Sequence, residues 1–557
     1  MLDASRIKYH FMSDEDWAES HQARARGAAF INNKLLLASD LAETIASFGD
    51  FKTLISFMRG LNGFFAAIAT TGDSVLLTVD HVRSFPLFYA VHHKEVLVSD
   101  DANWIRSHVD DKEADESSIT EFLLTRSVSG RETLLPSVKQ VQAGEAVALL
   151  LTSEGIKIES DRFYKFDYAQ PTTHSLRELF DAADVALTSA FSRLAKWAGG
   201  RTIVVPLGGG LDSRLMLLFL KLIGYDKVVA FTYGRVGNKE SKISRRVASE
   251  LGFTWIFIPY SNDSWGKWGS SEEWSEYLHF AHGLCTTPHL QDFPAVWELK
   301  RQRLIPDNSI LVPGHMPTPS DASHRLPTEW LRTKSVSRNE LATKIMEAYC
   351  TLLDWSRMKK TIQPKLCEKI TRVLQPPNAL TPEEAMIYFD RWWWESSWAK
   401  FIVNSVRVYD FWGYDWWLPL WDVEFVRFWR TLPFDLRFEK TFEHAYVRQL
   451  ETKITGRPAI RDNSTHHYGP TIVSVLDKAH LRNVAREIRA RHEYGHHPFA
   501  WYGLVAENEY KRAFHGRENI NTFLANQTVK DIFPNHLIPL ELDFLSEKKN
   551  TNVTTQE

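Results

Sequence analysis

Residues 202–223 read TIVVPLGGGLDSRLMLLFLKLI, and the three parts of this stretch decide the fold around it. Thr202 to Leu207 is a short β-branched apolar run, the pattern of a buried strand. Gly208, Gly209 and Gly210 follow at once, and residues without Cβ atoms let the chain turn sharply and present bare N–H groups. Leu211 to Ile223 is apolar nearly all round, with Gly224 placed to end a helix. A strand, a glycine turn and a helix N-terminus together form an anion site, because unpaired N–H groups and the helix dipole favour phosphate. Asp212 and Ser213 fall in the first helical turn. Ser213 can donate to a phosphate oxygen, whereas Asp212 would repel bare phosphate and makes sense only beside Mg²⁺. The same residues also fit a glycine-rich turn that binds nothing.

Working outward, Leu176 to Ala198 shows helical periodicity before the strand. After it come a strand at Lys227 to Thr232, a helix at Glu240 to Leu251, and strands at Trp255 to Ile258 and Ile310 to Val312. Alternating β and α elements imply a doubly wound parallel sheet with ligands at the carboxyl ends of its strands. Residues 1 to about 165 are β-rich instead. Short apolar runs at Phe64 to Ala69, Ser74 to Val79, Leu87 to Val91, Glu95 to Ser99, Ala146 to Leu151 and Ile156 to Glu159 alternate with turn signals, Thr71-Gly72-Asp73 among them. Pro and small polar residues in YAQPTTHS (168–175) mark a linker.

Composition narrows the class. Hydrophobic residues make up 44% and charged residues 24% of the 557, which is ordinary globular protein with room for several cores. The net charge of −3 gives no electrostatic case for nucleic acid. Cys285, Cys350 and Cys367 are odd in number and lack metal spacing, which suggests a reducing compartment. No run approaches the roughly 18 apolar residues of a membrane span, so a cytoplasmic protein is expected. Many of the tryptophans cluster between residues 392 and 429, where helical spacing makes them core first and a sugar platform second. Arg407 and Asp410 inside that apolar run need partners. The stretch 281–298, with His289, Gln291 and Asp292, fits either a substrate-pocket lip or the first turn of a helix. The basic, His-rich stretch 481–500 reads as a solvated helix followed by a turn, and the polar tail from Glu547 as disordered.

GGGLDS (208–213) resembles the SGGxDS pyrophosphate loop of the ATP pyrophosphatases, and LGGGLDSR (207–214) is similar to its asparagine synthetase version. The resemblance implies that Leu207, Gly208, Gly209, Gly210, Asp212 and Ser213 hold the pyrophosphate of ATP with Mg²⁺ while a carboxylate attacks the α-phosphate. Gly208 stands where that family has its first Ser. AFTYG (230–234) resembles the adenine-side strand end, where backbone groups of Thr232 and Tyr233 would meet the base. Pro313-Gly314-His315 takes the place of the family's SGEGADE segment, which supplies a catalytic Glu and a metal carboxylate. Pro313 and Gly314 fit; His315 stands at the Glu position, Thr318 and Pro319 stand where Asp and Glu are expected, and Asp321 is the stand-in metal ligand. The GH pair with His324 downstream resembles a branch of asparagine synthetase-like proteins found with polysaccharide genes.

RWWWESSWAKFIVNSVRVYDFWGYDWWLPLWDVEFVRFWRTLP (391–433) looks like the helical subdomain of these proteins, with WLPLWD (417–422) where they have RxPFLD. FEKTFEHAYVRQL (438–450) resembles the segment carrying the synthetase Lys. His444 stands at the aligned position, Lys440 one helical turn before it and Arg448 one turn after, and helix phase puts all three on one face, where a solvated surface is the alternative. Residues 61–90, 96–108 and 121–149 look like the body of a class II glutamine amidotransferase domain, an α/β/β/α sandwich whose nucleophile is a Cys at position 2. Here position 2 is Leu2 and no Cys precedes Cys285, so the domain is expected to be a scaffold without glutaminase activity. The β-lactam synthetases show the same loss.

The expected architecture is therefore α/β. An N-terminal α/β/β/α sandwich of the Ntn-hydrolase kind (1–168) precedes a doubly wound parallel sheet with a helical extension (175–546) and a tail (547–557). The expected activity is that of an asparagine synthase-like, ATP- and Mg²⁺-dependent ligase joining a small-molecule carboxylate to ammonia or an amine. No nucleic acid and no membrane span are expected, and a homodimer is left open. A non-catalytic nucleotide-binding or assembly protein, and a tRNA-modifying pyrophosphatase, are the competing readings.

Overall fold

The computed structural model describes residues 6–167, 174–316, 327–437, 440–460, 491–513 and 519–535. Leu2, Thr318, Pro319, Asp321, His324, the linker at 168–173, the stretch 481–490 and the tail lie outside the described residues.

Period-2 alternation builds the first half. Strands β1 (Ile7–His10), β2 (Ala18–Ser20), β3 (Ala23–Ile31), β4 (Lys34–Leu37), β5 (Asn62–Thr71), β6 (Ser74–Val79), β7 (Phe88–His92), β8 (Glu95–Ser99), β9 (Lys139–Gln140), β10 (Glu145–Leu151) and β11 (Ile156–Arg162) form two sheets. One runs β11-β10-β6-β5-β3-β2 with β4 also on β3; the other runs β1-β8-β7-β9. Along β5, Phe64, Ala66 and Ile68 face the core between the sheets. Phe65, Ala67 and Ala69 face a second core closed by helices Ala38–Ala46 and Phe51–Met58. Helix Ala102–His108 packs on β7 and β8. The layers are those of the expected α/β/β/α sandwich. The Thr71-Gly72-Asp73 turn joins β5 to β6 with Thr71 opposite Ser74.

The second half is built on a parallel sheet of β12 (Ile203–Pro206), β13 (Val228–Gly234), β14 (Thr254–Pro259), β15 (Ile310–Leu311) and, after a two-stranded ribbon of β16 (Val336–Ser337) and β17 (Ala379–Leu380), β18 (Asp415–Trp416). Its order is β14-β13-β12-β15-β18. Successive strands are added on one side of β12 as far as β14, and then on the other side from β15. The order thus reverses between β12 and β15, the point at which a doubly wound sheet leaves a crevice for ligand. Residues 391–433, expected to resemble a helical subdomain, also contain strand β18. The segment also passes through a wide-turned π-helical stretch at Trp394–Ile402. The tryptophans there are core, with Trp394, Trp416, Trp417, Trp421 and Trp429 all buried. Arg407 has its partner: its guanidinium donates to Asp410 at 2.9 Å, and Asp410 also accepts from the Trp416 indole at 2.9 Å.

The two halves share one continuous apolar core. His81 Nε2 lies 2.7 Å from the Trp421 carbonyl, and the Val423 amide donates to Asn62 at 3.0 Å. Helix Ile520–Ile532 folds back onto helix Glu116–Thr125 of the sandwich. Among the described residues no helix is long and apolar enough to cross a membrane.

Candidate active site

The crevice starts with the loop after β12. The Leu207 amide donates to the Phe231 carbonyl at 2.8 Å, and the Thr232 hydroxyl donates to the Leu207 carbonyl at 2.7 Å, so β13 fixes where the loop begins. Gly210 is the N-cap of helix Leu211–Leu222 in ordinary extended backbone (φ −78°, ψ 174°), and no side chain caps the helix. Its first-turn N–H groups thus stay open to an anion. None of Gly208, Gly209 and Gly210 has a positive φ, so the sharp turn expected of them is made without left-handed backbone. What glycine supplies is space. A Cβ on Gly209 would stand 3.3 Å from Glu240 Cγ, whereas one on Gly210 would meet no protein atom within 4 Å and would project into open space. Ser213 Oγ accepts the Gly208 amide at 3.2 Å and keeps its own proton to donate. Arg214 is buried; it donates to Glu451 at 3.0 Å and to the Ile460 carbonyl at 2.8 Å, and so anchors the helix to the later chain.

The loop after β15 forms the facing wall. A Cβ on Gly314 would lie 2.6 Å from Ser213 Cα and 2.7 Å from Ser213 N, so only glycine lets the two loops touch. His315 follows directly, with Nδ1 3.4 Å from Ser405 Oγ. Burial, with His289 adding to it, lowers its pKa to about 4 against the pull of Asp292 and Asp212, so the ring is neutral at pH 7. His289, walled in nearby, is likewise lowered to about 4 by burial and by Arg126.

The charge at the loop comes from helix Thr441–Thr455. Lys440 Nζ donates to both Asp212 oxygens, at 2.8 and 3.1 Å. It does so from outside the helix: Lys440 is the N-cap residue at φ +57°. The expectation that Lys440, His444 and Arg448 share one helical face is corrected here, because helical phase does not extend to a left-handed residue. His444 is half-buried, and Arg448 is exposed and pairs with no carboxylate among the described residues.

The residue that sequence reasoning missed is Glu443. It is 1% exposed, its Oε2 lies 3.4 Å from Lys440 Nζ, and neither carboxyl oxygen has a hydrogen-bond donor among the described residues. Burial, and then the negative Asp212 beside it, push its pKa well above the usual carboxylate range. Burial also pulls Asp212 upward, but the Lys440 charge and a proton donated from Glu443 outweigh it and hold Asp212 low. Of the two carboxyls, Glu443 is therefore the one that keeps its proton to higher pH. The signal was in the sequence: Glu443 shares the i, i+4 phase of Val447 and Glu451, so a carboxylate falls on the buried face of the helix.

On the β13 side, the Tyr233 and Tyr409 hydroxyls donate to the two oxygens of buried Asp292. Burial and that carboxylate raise both tyrosines well above their usual pKa. Asp292 precedes helix Phe293–Arg301 but caps nothing. It is a buried clamp and not a pocket lip. Tyr233 also stacks on Tyr260 at 5.1 Å. The backbones of Thr232 and Tyr233, expected at the base, run in register with Phe257 and Ile258 of β14, and buried Thr232 acts by holding Leu207. Residues 497–505 roof this end, a contact the sequence did not reveal. The Arg235 amide donates to the Pro498 carbonyl at 2.8 Å, and the Trp265 indole to the Phe499 carbonyl at 2.7 Å. Asp321, expected as a metal ligand, is not among the described residues.

No protein-family model matches the chain, and the curated proteins give no match. Solved structures similar to it include the NH3-dependent NAD synthetase of Campylobacter jejuni, 14% identical over 36% of this chain and 94% of that one, with a TM-score of 0.20. The glutamine phosphoribosylpyrophosphate amidotransferase of B. subtilis, complexed with ADP and GMP, is 11% identical over 48% of this chain and 74% of that one, with a TM-score of 0.19. The glutamine-dependent NAD+ synthetase of Acinetobacter baumannii, in complex with ADP, is 15% identical over 40% of this chain and 46% of that one, with a TM-score of 0.18. Superpositions this loose carry no residue and no activity across to this chain.

Proposed function

We propose that the chain is an ATP-dependent ligase of the asparagine synthetase kind, which adenylates a substrate carboxylate, releases pyrophosphate, and passes the acyl group to ammonia or an amine. The observation that carries this reading is the uncapped helix N-terminus behind Gly208–Gly210, set at the reversal of strand order and flanked by Asp212 and Lys440. In this reading the bare N–H groups and the Ser213 hydroxyl bind the pyrophosphate, and Lys440 adds a positive charge at its edge. The carboxylate oxygens of Asp212, partly exposed beside the loop, suit a hard cation, so Mg²⁺ fits there. Bound Mg²⁺ would draw charge from the leaving pyrophosphate. Neutral His315 offers a lone pair on the facing wall to the nitrogen nucleophile as it loses its proton. With no Cys before Cys285 the chain has no thiol of its own to release ammonia from glutamine in the sandwich.

The test is to incubate the purified chain with α-labelled ATP, Mg²⁺ and a panel of carboxylic acids that includes uronic acids and a cell extract. AMP and pyrophosphate are expected in equal amounts, only with the right carboxylate, and not with Asp212→Asn. ADP and phosphate without protein-dependent AMP would sink the reading. His315 in place of a carboxylate favours one other reading, a nucleotide-binding protein without catalysis, which would bind ATP and give neither pair of products.

A further inference from the structure

Glu443 has no part in the reaction so far. A carboxyl buried without a donor to its oxygens is costly, and it persists in a fold where some other group satisfies it. Its neighbour in phase, Glu451, shows the ordinary solution: it accepts from Arg214 at 3.0 Å and from the Ile460 amide at 3.3 Å. Glu443 has instead a second carboxylate, Asp212, and an ammonium 3.4 Å away that is hydrogen-bonded to that carboxylate. A cation already stands where two carboxylates converge, one of them buried with no hydrogen-bond donor to either oxygen among the described residues. In the sequence, Thr318 and Pro319 occupy the positions where the segment after Gly314 was expected to provide acid groups.

We propose that Glu443 and Asp212 together hold the divalent cation, which takes the place of the Lys440 ammonium between them and releases Lys440 towards the phosphates of the nucleotide. The inference rests on the adenylation reading for the use of the cation, but the cation site itself can be measured without ATP. Carboxylate oxygens from two elements, the loop helix and helix Thr441–Thr455, match the hard ligands that Mg²⁺ and Mn²⁺ take. Lysine and metal then compete for one place. Removing the lysine should strengthen metal binding, an outcome opposite to that expected if Glu443 served only as counter-charge to Lys440.

The experiment titrates the full chain with Mn²⁺ in the absence of nucleotide and reads free Mn²⁺ by electron paramagnetic resonance. Lys440→Met should bind one Mn²⁺ more tightly than wild type. Adding Glu443→Gln to Lys440→Met should weaken that binding by at least about tenfold, and Glu443→Asp should fall between. Thermal unfolding of each variant checks the fold, and if the Gln variant does not fold, the Asp variant carries the comparison. Equal Mn²⁺ affinity with and without the Glu443 carboxylate overturns the proposal, as does the absence of Mn²⁺ binding in Lys440→Met. AMP formation with no such Mn²⁺ site would overturn this inference alone. A Mn²⁺ site in a chain that never forms AMP would overturn the adenylation reading alone.

Discussion

Two buried acid groups a short way apart in sequence are treated in opposite ways. At the joint between the halves, Asp422 is gripped by a two-pronged fork from Arg193, at 2.6 and 2.7 Å, and accepts the Glu424 amide at 3.0 Å. Arg193 goes on to Glu424 at 2.9 Å and to Asn33 of the sandwich at 3.2 Å. One guanidinium there serves two carboxylates, and both Asp422 oxygens have a donor in the planar pairing that arginine makes best. In the crevice one ammonium again faces two carboxyls, but it bonds the Asp212 oxygens and leaves both Glu443 oxygens without a donor. The joint only has to hold. The crevice keeps a buried carboxyl whose oxygens no donor satisfies, the kind of perturbed group that clusters at functional sites.

The contrast can be broken at either end. The largest effect is expected at the joint. Asp422→Ala should cost about 3 kcal/mol in urea unfolding, the low end for stranding one member of a buried pair, because Glu424 remains beside Arg193. A loss below about 1 kcal/mol would show that charge does not hold the halves together. Glu443→Gln should act with the opposite sign, leaving stability at neutral pH unchanged or higher by up to about 1 kcal/mol. The sign follows from its raised pKa. A carboxyl whose folded value lies above its unfolded value, about 4.3, gives stability that is full at low pH and is lost as pH rises towards the folded value. Wild type should therefore lose stability relative to the Gln variant as pH rises above the unfolded carboxyl value, and parallel midpoint curves would remove Glu443 from the contrast. The smallest effect on folding is expected at Gly210→Ala. Its negative φ and open surroundings predict a change under about 0.5 kcal/mol, while ATP binding measured by calorimetry is lost because the new methyl projects into the open space at the loop. Equal loss of both would mean that the loop is structural.

Local pattern carried most of the fold. The helix expected at 176–198 matches Leu176–Ala198, and the strands expected at 74–79 and 95–99 match β6 and β8. Each is a run in which propensity, period and turn residues agree. β3, with glycine and two arginines in nine residues, and two-residue β18 among tryptophans gave no such agreement. The glycine loop was legible because strand, glycines and helix are contiguous. The rest of the site was not, because it is assembled across the chain: Gly314 touches Ser213, and Lys440 and Glu443 reach Asp212 over more than two hundred residues. Helix phase would have placed Glu443 on the buried face, but the left-handed Lys440 that starts the helix has no mark in the sequence.

The roof over β13 sets a condition on time as well as on space. Gly234 runs at φ +127° with Pro498 pressed against it, and Arg235 and Trp265 hold the backbone at 498–499. The loop that begins the crevice emerges from a ribosome some three hundred residues before the segment that covers it, since synthesis runs at about 5–20 residues per second. For tens of seconds the parallel sheet exists with its ligand end uncovered and its counter-charges unmade. Contacts of such separation form slowly, so the nascent chain acquires the cover of its crevice last.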